Sequence, residues 1–176
     1  MNSKRITVAW LVSILLLVVF AGLSWVNLEL TPEAGAQSFE ISGYQVFPII
    51  SALLLLQGAA FLSSVLTPAA VGRAISGFLV PIMLAHGIYV VVGLELNLQN
   101  AVAVKISEIT GVAGIASQAQ FVEFAGETYL WIGYLLAIAV NLAAVLTKTF
   151  SKAQLSRTRP NREEFPDEQD LWETQK

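Results

Sequence analysis

The chain has 176 residues, 55% of them hydrophobic and only 13% charged, with a mean hydropathy of +0.65. A soluble domain of this size carries about twice that charged fraction, so the composition is that of one integral membrane domain. The lack of cysteine excludes disulfides, thiolate metal sites, haem attachment through cysteine and cysteine nucleophiles, and a net charge of −3 with a pI near 5.1 gives no basic field for nucleic acid.

Lys4 and Arg5 precede an apolar run over residues 7–26. That run exceeds the apolar region of a signal peptide, about 7–15 residues. It reads as an uncleaved first helix, with Trp10 and Trp25 in the aromatic belts at its two ends. Residues 27–46 read as a loop carrying Glu29, Glu33 and Glu40, in which Ser38-Phe39-Glu40-Ile41-Ser42 alternates as a weak strand signal. Pro48 fits the first turn of a second helix over 47–66. Within it Ala59/Ser63 and Ala60/Ser64 are small residues at helical spacing, which lets backbones approach closely in lipid.

A short connector, 67–74, holds Pro68, Gly72 and Arg73 and leads to a third helix over 75–94, so the two helices form a tight hairpin. Pro81 leaves the Gly77 carbonyl without its usual donor and predicts a kink. Gln57 and His86 are the polar side chains near the middle of the two arms. Their positions straddle the connector evenly, which predicts facing side chains at one depth, joined as a clasp. Tyr89, three residues after His86, is a second candidate partner.

Residues 95–127 read as a second loop. Ala101, Val102, Ile106 and Ile109 fall at helical spacing, predicting a short amphipathic helix on the membrane or the bundle that ends at Gly111. Residues 111–120 are small and polar and read as flexible. A fourth helix over 128–147 has Trp131 and Tyr134 near one end and a packing stripe of Gly133, Ala137, Asn141 and Ala144. Asn141 and Ser13 fall at similar depth, so the first and fourth helices are expected to share a hydrogen bond.

The expected fold is thus all-α: a four-helix transmembrane bundle over 1–147 and a polar tail over 148–176. The tail is first basic, with Lys148, Lys152 and Arg157, then acidic, with Phe165, Leu171 and Trp172 among the acids. It should be disordered unless bound. Only Lys105, of ten Lys and Arg, falls in the two loops, which carry seven Glu. The positive-inside rule then puts both termini in the cytoplasm. Lys148, Lys152 and Arg157 are expected to bind anionic lipid headgroups, at ~1 kcal/mol each. Phe165, Leu171 and Trp172 are candidates for a docking segment, since aromatic side chains anchor interfaces.

Ser24-Trp25-Val26, Ile41-Ser42-Gly43, Pro48, and Gly72-Arg73 followed by Gly77 come together in this four-span layout. In these features residues 5–147 resemble the tryptophan-associated transmembrane family of actinobacteria, whose genes sit among tryptophan-biosynthesis genes. The resemblance implies the four-helix fold and a cell-membrane location, and it carries no activity to transfer.

His86 is the one histidine. As a haem or metal ligand it would need further ligands, and no second His, no Cys and no acid within a span provides one. As a proton carrier it would need a relay. The reading favoured here is a neutral imidazole hydrogen-bonded to Gln57, Tyr89 or a backbone carbonyl, with a ligand shared with another chain as the alternative. Gln57 and Asn141 likewise read as interhelical hydrogen-bonding groups rather than substrate contacts. The seven Glu read as a solvated face, or as a surface for cations or a basic partner; Glu95, Glu123 and Glu127 flank the helix ends. No catalytic constellation, cofactor site or metal site is expected. The function expected is a non-enzymatic accessory or assembly subunit of a larger membrane complex, a respiratory complex among the candidates by analogy, with other membrane subunits and anionic lipids as partners. The alternative is an oligomeric small-solute transporter, motivated by Pro81 and the mid-membrane Gln57 and His86, its solute tryptophan-related on the gene context that the resemblance implies.

Overall fold

The computed structural model describes residues 3–32 and 36–151. Its elements are α1 (Ser3–Gly22), β1 (Ser24–Leu30), β2 (Ser38–Ser42), the one-turn α2 (Gly43–Val46), α3 (Ile49–Leu66), α4 (Ala69–Thr110), the one-turn α5 (Ile115–Gln118), β3 (Val122–Glu127) and α6 (Leu130–Phe150). Four helices, α1, α3, α4 and α6, are long and apolar enough to cross a membrane. Only about a third or less of each such window is buried inside the protein. The outward-facing Leu, Val and Ile of these helices suit contact with acyl chains, as in Leu15, Leu55, Ile88 and Leu136.

The helices form a ring in which α1 touches α6 and α3, and α4 touches α6 and α3. Ile14, Leu17 and Ala21 of α1, Leu53 of α3, Met83 and Val90 of α4, and Ala137 and Ile138 of α6 fill its centre. At the α3–α4 turn the backbones nearly touch: a Cβ on Gly72 would stand 2.9 Å from the Ser64 carbonyl oxygen. Ala60 and Ser64 face inward, whereas Ala59 and Ser63 are exposed, so only one of the two small-residue pairs packs within the bundle.

The fold is not all-α. A three-stranded antiparallel sheet, ordered β2-β1-β3, caps the end of the bundle where α1 finishes and α3 and α6 begin. The first helix stops at Gly22, earlier than the sequence expectation, because Ser24–Leu30 alternates buried Val26, Leu28 and Leu30 with exposed Asn27 and Glu29. A period of two buries one face of a strand; in a helix it would scatter apolar groups around the axis. Trp25 is no belt residue. It is fully buried, donates its indole N–H to the Phe20 carbonyl at 2.9 Å, and packs against Phe47 and Tyr134.

The third helix and the separate amphipathic helix expected after it are one element. The 42-residue α4 is about 63 Å long, roughly twice the hydrocarbon thickness of a bilayer. No breaker lies between Leu94 and Ile109, so the helix passes from the apolar segment into the polar one without interruption. Its distal part turns Leu98, Val102 and Ile106 toward the sheet, where Ile106 packs with Leu28 and Leu30. The apolar stripe therefore packs on protein, not on a membrane surface. Gly111 ends the helix in the left-handed conformation, φ 71°. Pro81 lies inside α4 and does not end it.

Candidate functional site: two polar layers inside the bundle

The first layer is a closed ring of hydrogen bonds. Trp10 Nε1 donates to Gln57 Oε1 at 3.3 Å, Gln57 Nε2 to Asn141 Oδ1 at 3.0 Å, Asn141 Nδ2 to Ser13 Oγ at 3.0 Å, and Ser13 Oγ to the Trp10 carbonyl at 2.7 Å. The four residues lie on α1, α3 and α6, and each has 0% of its surface exposed. The direction of the ring follows from chemistry. An indole N–H can only donate, so Gln57 must turn its oxygen to Trp10 and its nitrogen to Asn141. Asn141 must then accept with its oxygen and donate to Ser13, whose own proton is left for the Trp10 carbonyl. The ring crosses the bundle from α3 to α6, which are otherwise diagonal to each other.

The second layer is a pair. His86 Nε2 and the Tyr134 hydroxyl are 2.9 Å apart, with the rings edge to face and centroids 5.9 Å apart. Tyr134 is fully buried and His86 is 6% exposed. Tyr134 and Asn141 are two helical turns apart on α6, about 10 Å, so the layers are stacked along the bundle. Ala137 and Ile138 of α6 and Met83 of α4 lie between them and belong to the apolar core.

The expected clasp between Gln57 and His86 is not formed. The chain reverses at Thr67 and Pro68, closer to Gln57 than the connector taken from hydropathy, because α4 starts at Ala69. The α4 residue level with Gln57 is thus near Leu79, which packs in the cluster containing Trp10 and Ala60. His86 lies two turns nearer the sheet. Tyr89 does not reach it either: its side chain is about half exposed and its ring packs edge to face on Phe47, centroids 5.5 Å apart.

Asn141 and Ser13 are hydrogen-bonded across α1 and α6. Ala137 and Ala144 of the α6 stripe are buried, and Gly133 lies so close to Phe20 that a Cβ would run into its ring. Gly77 faces α6, where a Cβ would touch the Thr149 methyl at 3.4 Å. Lys148 reaches Thr7 Oγ1 at 3.4 Å. Lys152, Arg157, Phe165, Leu171 and Trp172 lie outside the described residues. Segment 111–120 is tied down at Gln118, a buried side chain that donates to the carbonyls of Ala103 at 3.0 Å and Val112 at 2.8 Å.

Two central residues are not among the groups singled out from the sequence. Trp10 and Tyr134 read there as end-of-helix aromatics, yet both are buried hydrogen-bond partners. The available signal is spacing: Trp10 and Ser13 are three apart, and Tyr134 and Asn141 seven apart, each pair on one helical face. Among the described residues no group of three or more His, Cys, Asp or Glu could hold a metal ion. The arrangement can join helices; every ring member has its hydrogen bond, and none faces a solvent-filled space. The chain matches no family model, curated protein or solved structure, so the reading of its polar layers rests on their geometry.

Proposed function

We propose that this protein is a non-enzymatic accessory or assembly subunit of a larger membrane complex. The observation that carries the reading is the closed ring of Trp10, Gln57, Asn141 and Ser13. The two amides within the spans, Gln57 and Asn141, bond to each other and to Trp10 and Ser13, so the ring ties α1, α3 and α6 together. What the bundle offers outward is lipid-facing apolar surface and, beyond the spans, a sheet braced on a long helix. Following the distribution of Lys and Arg, the termini lie in the cytoplasm and the sheet on the outer side. Lys148 and the basic residues after it then meet anionic lipid of the inner leaflet.

Transport of a tryptophan-related solute has less support. It needs a polar path, and an apolar layer separates His86 from Gln57. Purification of the tagged chain at native levels in a gentle detergent, with mass spectrometry of its companions, tests the subunit reading. A stoichiometric membrane protein partner is expected. Recovery of the chain alone, or only as copies of itself, removes the reading.

A further inference from the structure

The sheet has two edges, β2 and β3. Beside β2, Lys105 of α4 sits over the Phe39 ring, 5.6 Å from its centroid, and 3.4 Å from Glu108. Along the β3 edge Glu123, Phe124, Ala125 and Glu127 are exposed. The ladder shows which backbone groups are free there. Thr128 N–H donates to the Trp25 carbonyl at 3.0 Å, which makes Val26↔Glu127 and Leu28↔Ala125 the non-hydrogen-bonded pairs of the register. The N–H and C=O of Ala125 and Glu127 therefore point away from β1. Among the described residues nothing bonds to them.

Ala125 and Glu127 place their side chains on the same face of the sheet as Leu28 and Val26, the face toward α4. On that face lies a cavity of about 580 Å³, lined chiefly by Val26, Leu98, Val102, Ile106 and Ala125, with Glu127 at its margin. We propose that the β3 edge is a docking strand. It accepts an extended segment of a partner protein as a fourth strand, with an apolar side chain opposite Ala125 entering the cavity and a basic side chain opposite Glu127. Backbone hydrogen bonds supply the pairing and the alternate side chains the selection. This deepens the subunit reading by naming the surface and the chemistry of the partner.

Two other occupants fit worse. A second copy pairing antiparallel about Ala125 would set Glu123 of each chain against Glu127 of the other, and like charges directly opposed are unfavourable. The segment after Ser151 leaves from the far end of the 21-residue α6, about 32 Å away across the apolar layer.

The test uses the full chain in lipid nanodiscs and two synthetic heptapeptides with blocked ends. One is threonine-lysine-threonine-valine-threonine-lysine-threonine; the other has glutamate for both lysines. Each places valine on the cavity face with charged residues two positions away on either side, whichever way the strand runs. The lysine peptide is expected to bind saturably by fluorescence anisotropy, and the glutamate peptide about tenfold or more weakly. Ala125→Pro deletes only the outward N–H, so it should abolish binding while the sheet remains. Glu127→Lys should weaken the lysine peptide and strengthen the glutamate peptide, and this reversal decides the matter if Ala125→Pro fails to fold. Replacing the central valine by glycine should weaken binding. Absence of saturable binding overturns the proposal, as does binding indifferent to Glu127→Lys or to the valine. Cross-links joining two copies through β3 overturn it in favour of self-pairing. A chain that purifies without companions yet binds the lysine peptide in this pattern keeps the docking strand and removes the subunit reading.

Discussion

The indole nitrogen of Trp10 stands 3.3 Å from Gln57 Oε1, and because it can only donate, it orients both amides of the ring. Trp10→Phe keeps an aromatic ring against Phe61 and removes that constraint. The expected loss is about 1 kcal/mol, the scale of one hydrogen bond. Thermal unfolding in detergent measures it, and the Gln57 side-chain amide signals in NMR should broaden or double as the amide samples both orientations.

The His86 contact predicts a sharper response. Tyr134→Phe leaves His86 Nε2 buried without the hydroxyl 2.9 Å away, and an unsatisfied buried group costs about 1–3 kcal/mol. His86→Leu combined with Tyr134→Phe should recover part of that loss, since no polar atom is then stranded. A double variant less stable than either single one would show that the pair is not the partnership described.

At the hairpin, Gly72 has no room for a side chain. With the Ser64 carbonyl oxygen 2.9 Å from where its Cβ would stand, Gly72→Val must push α3 and α4 apart. A cost of about 1–3 kcal/mol is expected. Val71→Ala, at an exposed neighbouring position, should be close to neutral in the same unfolding assay.

Much of this was legible in the sequence, and the failures have physical reasons. Hydropathy locates the four spans because lipid demands about 20 apolar residues in a row. It does not locate where a hairpin turns, since an apolar residue scores the same in the last turn of a helix as in its middle. The clasp between Gln57 and His86 failed for that reason. The end of α4 was hidden by the opposite effect: Glu95, Asn97 and Gln99 look like a loop to a hydropathy scale, although none of them breaks a helix. β1 was present in the alternation of Val26, Leu28 and Leu30, overshadowed by the apolar run before it. β3 is exposed along most of its length and contains Gly126, so no burial pattern announces it. It is a strand because β1 offers it an edge.

The brace between sheet and helix gives a further prediction. Ile106 is 2% exposed and packs on Leu28 and Leu30. Ile106→Asp places a charge in that contact and should release the sheet from α4. Limited proteolysis should then cut within residues 111–121 much faster than in the parent protein, while the four spans stay protected. Equal cleavage rates would mean that the sheet is held by something other than this contact.

The most direct measurement is a double-mutant cycle between Gln57 and Asn141, which are 3.0 Å apart across the bundle. Gln57→Leu and Asn141→Leu, singly and together, are compared by unfolding in bicelles or by steric trapping. If the polar layer joins the helices, each single variant is destabilised and the pair shows a coupling of about 0.6–1.7 kcal/mol, the range of interhelical hydrogen bonds in membranes. If both single variants keep full stability and the coupling is zero, the ring does not hold the bundle, and its amides are free to serve a ligand.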